Sequence, residues 1–194
     1  MTDSELIEGI GRRDRVAFQY LVDQYQEKVI RTAFHFTGNM EDAEDISQEV
    51  LLDVIRHAPS FRGSSALSTW IYRITVNKVL NMIRRQQRKQ LMVRLESLVS
   101  PFRGHDAANL AEPSVAGDGH ETRERDELLQ AALRRLPENQ RIAFVLHRFD
   151  EQPYRRIAEI MNISISAVES LIHRARLNLQ KYLLPHFSEY KNTP

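Results

Sequence analysis

Apolar residues recur at gaps of three and four along most of this chain, the spacing that gathers them on one side of a 3.6-residue helix. Ala17, Phe18, Leu21, Val22, Tyr25, Val29 and Ala33 form the first such stripe. It begins just after Asp14, whose short acidic side chain suits an N-cap. Gly38 supplies a C-terminal stop and Asn39 the next N-cap. The helix that follows opens on Glu41 and Asp42, acids that favour the positive end of a helix dipole. It continues through Ile46, Val50, Leu51 and Val54 to a stop near Pro59. The turn-rich run 59–65 predicts a loop. A third long helix then carries Leu67, Trp70, Ile71, Ile74, Val76 and Leu80 on its inner side and runs into the basic stretch 84–89. Residues 1–92 thus read as helical throughout.

From 93 to 124 no period is sustained. Ser97, Ser100, Pro101, Gly104, Pro113, Ser114, Gly117 and Gly119 punctuate this stretch, which has the composition of a flexible linker. Its length argues for two domains rather than one long internal loop. Helix resumes after about 125 with the stripe Leu128, Leu129, Ala132 and Leu133, and Pro137 starts a helix carrying Ile142, Ala143, Leu146 and Phe149. Pro153, suited to a helix first turn, precedes Tyr154, Ile157, Ala158 and Met161. After the short turn 162–164, Ile165, Val168, Leu171, Ile172, Ala175, Leu179 and Leu183 line a last helix expected to end near Pro185. The predicted architecture is all-α: two small helical domains, 1–92 and 125–187, joined by a flexible linker, 93–124, and followed by a tail, 188–194. A short helix, a tight turn and a longer helix over 154–179 make a helix-turn-helix in the second domain.

The outward face of that last helix would carry Ser166, Glu169, Ser170, His173, Arg174 and Lys181, with Arg176 beside it. Such a face can lie in a DNA major groove. From spacing alone, a solvated face on a packed helix pair accounts for it equally well. Net charge does not decide, because 27 Lys+Arg against 26 Asp+Glu leave only +1. The location of charge says more. Between Glu41 and Asp53 there are six acids and no Lys or Arg; between Arg84 and Arg94 there are five bases and no acid. The first run repels phosphate and suits a basic protein partner, and the second attracts phosphate. Each alone is also an ordinary solvated helix face. Phe61, Trp70 and Tyr72 could stack on unpaired bases, although core packing is the better account of Trp70 and Tyr72. Asn77, polar in an apolar-rich helix, needs a partner and is the stronger site candidate.

Catalysis finds no support in these residues. With no cysteine, disulfides, thiolate metal sites and a cysteine nucleophile are excluded. The seven histidines are scattered without metal-ligand spacing, and there is no Gly-rich phosphate loop. We expect no enzyme activity, no cofactor, no metal and no small-molecule substrate. The acidic start Met1-Thr2-Asp3-Ser4-Glu5 does not resemble a signal peptide, and no apolar run approaches the ~20 residues of a membrane span. A soluble, cytoplasmic protein is expected.

Three segments in order resemble the extracytoplasmic-function (ECF) sigma factors. Asp42-Ala43-Glu44-Asp45-Ile46-Ser47-Gln48-Glu49-Val50, then Phe61-Arg62-Gly63, then Ser68-Thr69-Trp70-Ile71-Tyr72-Arg73-Ile74-Thr75-Val76-Asn77 resemble their region 2. Leu136-Pro137-Glu138, Tyr154 to Met161 and Val168 to Arg176 resemble their region 4. The likeness covers nearly all of the chain outside the linker and the last residues. It implies a dissociable RNA polymerase subunit that selects promoters, whose acidic second helix docks on the core polymerase through Asp42, Asp45, Gln48 and Glu49. It implies that Phe61, Ser64, Ala66, Leu67, Trp70 and Asn77 open the promoter −10 element and hold a flipped base, with Arg84, Arg85 and Arg88 tracking phosphates. The −35 element would be read by Ser166, Glu169, Ser170, His173, Arg174 and Arg176. The resemblance also implies an anti-sigma factor, often membrane-anchored, which would hold the protein at the inner membrane. Two departures bear on promoter sequence: Glu169 stands where relatives often have Arg, and Leu67 replaces an aromatic found in some of them. Rival readings are a free-standing helix-turn-helix regulator, expected to bind a palindrome as a dimer, and an all-helical scaffold with no DNA role.

Overall fold

The computed structural model describes residues 1–99 and 120–190, with side chains at 1–93 and 125–185. Among these residues the regular structure is helical: α1 (Asp3–Gly11), α2 (Arg15–Thr37), α3 (Met40–His57), a 3-10 turn (Ala58–Ser60), α4 (Leu67–Val99), α5 (His120–Arg134), α6 (Glu138–Arg148), α7 (Tyr154–Met161) and α8 (Ile165–Tyr190). Local chemistry sets the boundaries. Thr2 and Glu5 close a reciprocal capping box on α1. Asp14 accepts from Val16 N–H at 2.9 Å to start α2, and Asn39 accepts from Asp42 N–H at 3.0 Å to start α3. Between them Gly38 ends α2 at φ 69°, a conformation a side chain would strain.

The N-terminal domain packs α1, α3 and α4 around α2, the α2–α3 pair forming its spine. Leu6, Leu21, Phe36, Val50, Val54, Leu67 and Val79 lie at its centre, all wholly buried. Where α1 crosses α2, the position a Cβ would take on Gly9 is 2.6 Å from Ala17 Cβ, so only glycine fits. In the C-terminal domain α7 and α8 meet through Ile157, Ala158, Ile160, Val168 and Ile172, backed by Ile142, Val145 and Leu146 of α6. A satellite cluster joins Ala132, Leu133 and Leu136 to Ala175 and Leu179. The two domains are not separate in space. One apolar cluster runs from α1–α4 into α6–α8.

Three boundaries differ from the sequence expectation. Helix α4 continues to Val99 and α5 begins at His120, so helix enters the expected linker from both sides. Residues 91–99 contain good helix formers and no breaker before Pro101, and 120–134 are similarly free of Gly and Pro. The rest of the linker, 100–119, lies outside the described residues, as do 191–194 of the tail. Helix α8 does not stop at Pro185 but carries it inside and runs to Tyr190. A proline removes one backbone bond and crowds the preceding turn, without barring helix beyond it. Helix α1 was not separately anticipated.

Candidate nucleic-acid interface

The helix-turn-helix forms as its sequence suggests. Helix α7 ends at Asn162, which takes the left-handed conformation (φ 54°, ψ 48°) that Asn tolerates better than most residues. Ser164 Oγ then accepts from Ala167 N–H at 3.2 Å and starts α8. With Val168, Ile172, Ala175 and Leu179 buried, the opposite face of α8 is turned outward. Ser166, Glu169, Ser170, His173, Arg174 and Arg176 are all exposed on it. Arg174 Nε donates back to the Ser170 carbonyl at 3.2 Å, and Ser170 Oγ donates to the Ser166 carbonyl at 2.9 Å. Both side chains lie along the helix surface, each bonded to a carbonyl one turn back.

On the N-terminal domain, Phe61 of the loop before α4 and Trp70 in the first turns of α4 have ring centroids 5.1 Å apart, tilted by 38°. Both rings are half-buried, whereas Ser64 and Ala66 are exposed. Leu67 departs from expectation. It is 0% exposed, so its side chain belongs to the core and only its backbone borders the loop. Leu67 N–H donates to Asp3 Oδ2 at 2.9 Å, so a residue of α1 caps α4 from outside. Further along α4, Asn77, Arg84, Arg85 and Arg88 are exposed. The first two are not in open solvent, however. Asn77 lines a cleft of about 240 Å³ with Arg73, Glu138, Asn139 and Ile160. Arg84 donates to Glu138 of α6 from Nε (3.1 Å) and Nη2 (2.5 Å).

The acidic helix α3 presents Glu41, Glu44, Asp45, Gln48 and Glu49 to solvent, with Asp42 half-buried at its cap. Asp45, Gln48, Glu49 and Leu52 share one stripe, and Leu52 is 50% exposed. An apolar residue out of phase with the core stripe was the available sign of Leu52, and sequence reasoning passed over it. Lys78 of α4 reaches α3 and contacts Glu49 at 3.0 Å and Asp53 at 2.9 Å. Hydrogen bonds to Asp53 and Glu49 raise its pKa, so the cation stays charged and neutralises part of that face.

A second set of polar residues joins the two domains, and none of it was anticipated. Arg73 of α4 donates to the Glu159 carbonyl at the end of α7 from Nε (3.1 Å) and Nη2 (2.5 Å). Arg141 of α6, itself buried, donates to the Phe36 carbonyl at the end of α2 and stands 5.5 Å over the Phe36 ring. Burial and Arg134 lower its pKa to about 10, which leaves it charged at neutral pH. Arg156 of α7 donates to Ser68 Oγ. Asp150, 4% exposed, lies 2.8 Å from Thr32 Oγ. Arg31 Nε is 3.7 Å from its other oxygen, within ion-pair range but too far to hydrogen-bond, and that oxygen accepts no bond. Burial pushes the Asp150 carboxyl up to about 6, against the opposing pull of Thr32 and Arg31. Burial, then Asp150, pushes the nearby Tyr72 phenol up to about 12.

Among the described residues, no cluster of His, Asp or Glu could hold a metal ion, and no helix is long and apolar enough to cross a membrane.

Comparison with known proteins divides the chain along the same lines. Residues 21–89 match the family described as Sigma-70 region 2, and residues 126–179 match Sigma-70, region 4. The RNA polymerase sigma-H factor of Pseudomonas aeruginosa is 32% identical over 192 residues, which span 96% of each protein. The ECF RNA polymerase sigma-E factor of Escherichia coli K12 is 31% identical over 185 residues, 95% of this chain and 96% of that one. The fold is similar to that of the sigma factor RpoE from Bartonella quintana, solved with the anti-sigma factor NepR. That likeness has a TM-score of 0.59 at 22% identity and covers 86% of this chain and 96% of that one.

Proposed function

The chain belongs to the ECF RNA polymerase sigma factors of the sigma-70 family, and from that membership we propose how its surfaces share the work of promoter-directed initiation. The exposed acidic stripe of α3, with Asp42, Asp45, Gln48 and Glu49, docks on core polymerase, and Leu52 adds an apolar contact to it. Phe61, Ser64, Ala66, Trp70 and Asn77 hold the opened −10 strand, while Arg84, Arg85 and Arg88 meet its phosphates. Leu67 is left out of this set because its side chain is sealed in the core. Flipping a base costs a few kcal/mol, which stacking on Phe61 and Trp70 and phosphate contacts must offset. The exposed face of α8 reads the −35 duplex, where Glu169 suits acceptance from a cytosine amino group.

The observation that carries this reading is the outward-facing row Ser166, Glu169, Ser170, His173 and Arg174 on α8, in a chain whose other domain bears an acidic stripe. The protein acts without catalysing a reaction of its own. It works in the cytoplasm, and an anti-sigma factor of the kind named for the Bartonella quintana protein restrains it, holding it at the inner membrane where that factor is anchored.

Transcription with core polymerase on genomic DNA tests the proposal. Added chain should produce new promoter-dependent starts, and replacing both Asp45 and Gln48 by Ala should weaken polymerase binding while leaving DNA contacts intact. Specific DNA binding by the chain alone, with no polymerase-dependent transcript, would overturn it.

A further inference from the structure

The loop between the 3-10 turn and α4 carries Phe61, Ser64 and Ala66, and it is tied only at its ends. Phe61 N–H donates to the Ala58 carbonyl at 3.1 Å, and Trp70 N–H to the Ala66 carbonyl at 3.2 Å. Among the described residues no backbone-to-backbone bond holds 62–65 between them. Its placement therefore depends on how the two ends are held. The first end is the 3-10 turn, against which α1 packs. The second is the start of α4, where the capping position falls to Ala66, a residue with no side-chain acceptor. Asp3 of α1 supplies one, its Oδ2 accepting from Leu67 N–H at 2.9 Å. We propose that Asp3 is a positioning residue for −10 recognition: its carboxylate closes the start of α4 and so sets where Phe61, Ser64 and Ala66 meet the opened strand. This rests on the functional reading above.

Helix α1 holds that carboxylate firmly. Asp3 is its first residue, and the reciprocal Thr2/Glu5 box fixes the turn on which Asp3 stands. The Thr2 backbone N–H and hydroxyl lower the pKa of Glu5, so the box is intact at neutral pH. Leu6 and Ile10 anchor the same helix in the core that buries Leu67. The Asp3 carboxylate thus stands at the positive ends of two helices, its own α1 and the neighbouring α4. Without it, Leu67 N–H, one of the four donors that a helix start leaves unpaired, loses its acceptor at a partly buried site. The first turn of α4 then frays, and the loop end at Ala66 moves with it. The match to region 2 begins at residue 21. The fastening of the loop therefore comes from a helix that precedes the matched segment.

Asp3 is exposed, so replacing it leaves the core alone. Transcription with core polymerase would compare full-length wild type, Asp3→Ala and Asp3→Asn. The template is a promoter taken from mapped genomic starts and randomised across its −10 element, with transcripts read by sequencing. Asp3→Ala should reduce the ratio of preferred to unpreferred −10 sequences by about fivefold, the size of one lost cap. Affinity for the −35 duplex and for polymerase should stay as in wild type. Asn keeps an acceptor oxygen, so Asp3→Asn should retain most of the selectivity. Hydrogen exchange at the Leu67 amide reads the bond directly: slow in wild type and Asp3→Asn, faster in Asp3→Ala. A lower melting temperature with unaltered −10 preference in Asp3→Ala is what a purely structural role would give, and it would overturn the proposal. Equal losses of selectivity by the two variants, or a Leu67 amide that exchanges alike in wild type and Asp3→Ala, would do the same. A wild-type chain with a protected Leu67 amide but no promoter-directed transcript would instead refute the functional reading, and the inference with it.

Discussion

Replacing Asp150 by Asn should stabilise this protein at pH 8 and have little effect at pH 5. The carboxyl sits near 6 instead of its ordinary 3.8, and each pKa unit corresponds to about 1.4 kcal/mol. Well above pH 6 the ionised group therefore costs the folded state about 3 kcal/mol relative to water. Geometry gives the reason. Thr32 has one hydroxyl proton and two acceptors at 2.8 Å, the Lys28 carbonyl and the Asp150 carboxyl. Only a protonated Asp150, donating to Thr32 Oγ, lets the hydroxyl serve Lys28. An Asn amide can make that donation at any pH. It gives up the Arg31 pair, but Arg31 is half exposed, and such pairs are worth under about 1 kcal/mol. Some further loss comes from fitting the amide into the site, so we expect a net gain of about 1–2 kcal/mol at pH 8. A carboxyl that binds its proton more tightly in the folded state stabilises at low pH, and that contribution is lost as pH rises through about 6. Burial and the charge of Arg31 lower the pKa of His35, which makes its contribution run in the opposite direction. The difference between wild type and variant removes that term. Urea unfolding followed by helical circular dichroism at both pH values is the assay. A variant less stable than wild type at pH 8, or a difference that does not change with pH, would refute the reasoning.

Arg174→Ala should weaken −35 duplex binding by about 1–3 kcal/mol for the preferred sequence, measured by competition titration. An equal loss on all sequences would make Arg174 a phosphate contact only. Asn77→Ala should impair use of the −10 element more than −35 binding in footprinting of the polymerase complex, and equal losses at both would rule out its assigned place. Gly9→Ala should lower stability by about 1–3 kcal/mol in thermal melting, because the added methyl meets Ala17 at 2.6 Å. An unchanged melting temperature would mean that the α1–α2 seam yields easily.

What could be read from the sequence followed local rules. Asp14, Gly38 and Asn39 act where cap chemistry puts them, and the gaps of three and four identify the buried stripes of α2, α3 and α8. The outward face of α8 was legible because burying Val168, Ile172 and Ala175 fixes what remains outside. Leu67 misled because position in a motif says nothing of depth; its side chain turned out to plug the core beneath the loop. The domain contact was illegible for a different reason. Thr32 and Asp150 are 118 residues apart and Arg141 and Phe36 105 apart, and an arginine capping a distant carbonyl looks in sequence like any surface arginine. The Thr2/Glu5 capping box of α1 was visible in principle, yet no strong apolar run drew attention to it.

The exchange of Arg73 and Arg141 between helix ends has a consequence for how the molecule responds to its medium. Each of these contacts joins a guanidinium to an uncharged peptide oxygen. Dissolved ions attenuate attraction between two opposite charges far more than such a charge–dipole bond at contact distance. Raising potassium chloride therefore weakens the Arg84–Glu138 pair first, while the two arginine-to-carbonyl bonds persist. Shifts in ionic strength leave this pair of fasteners in place while they loosen the carboxylate link beside them.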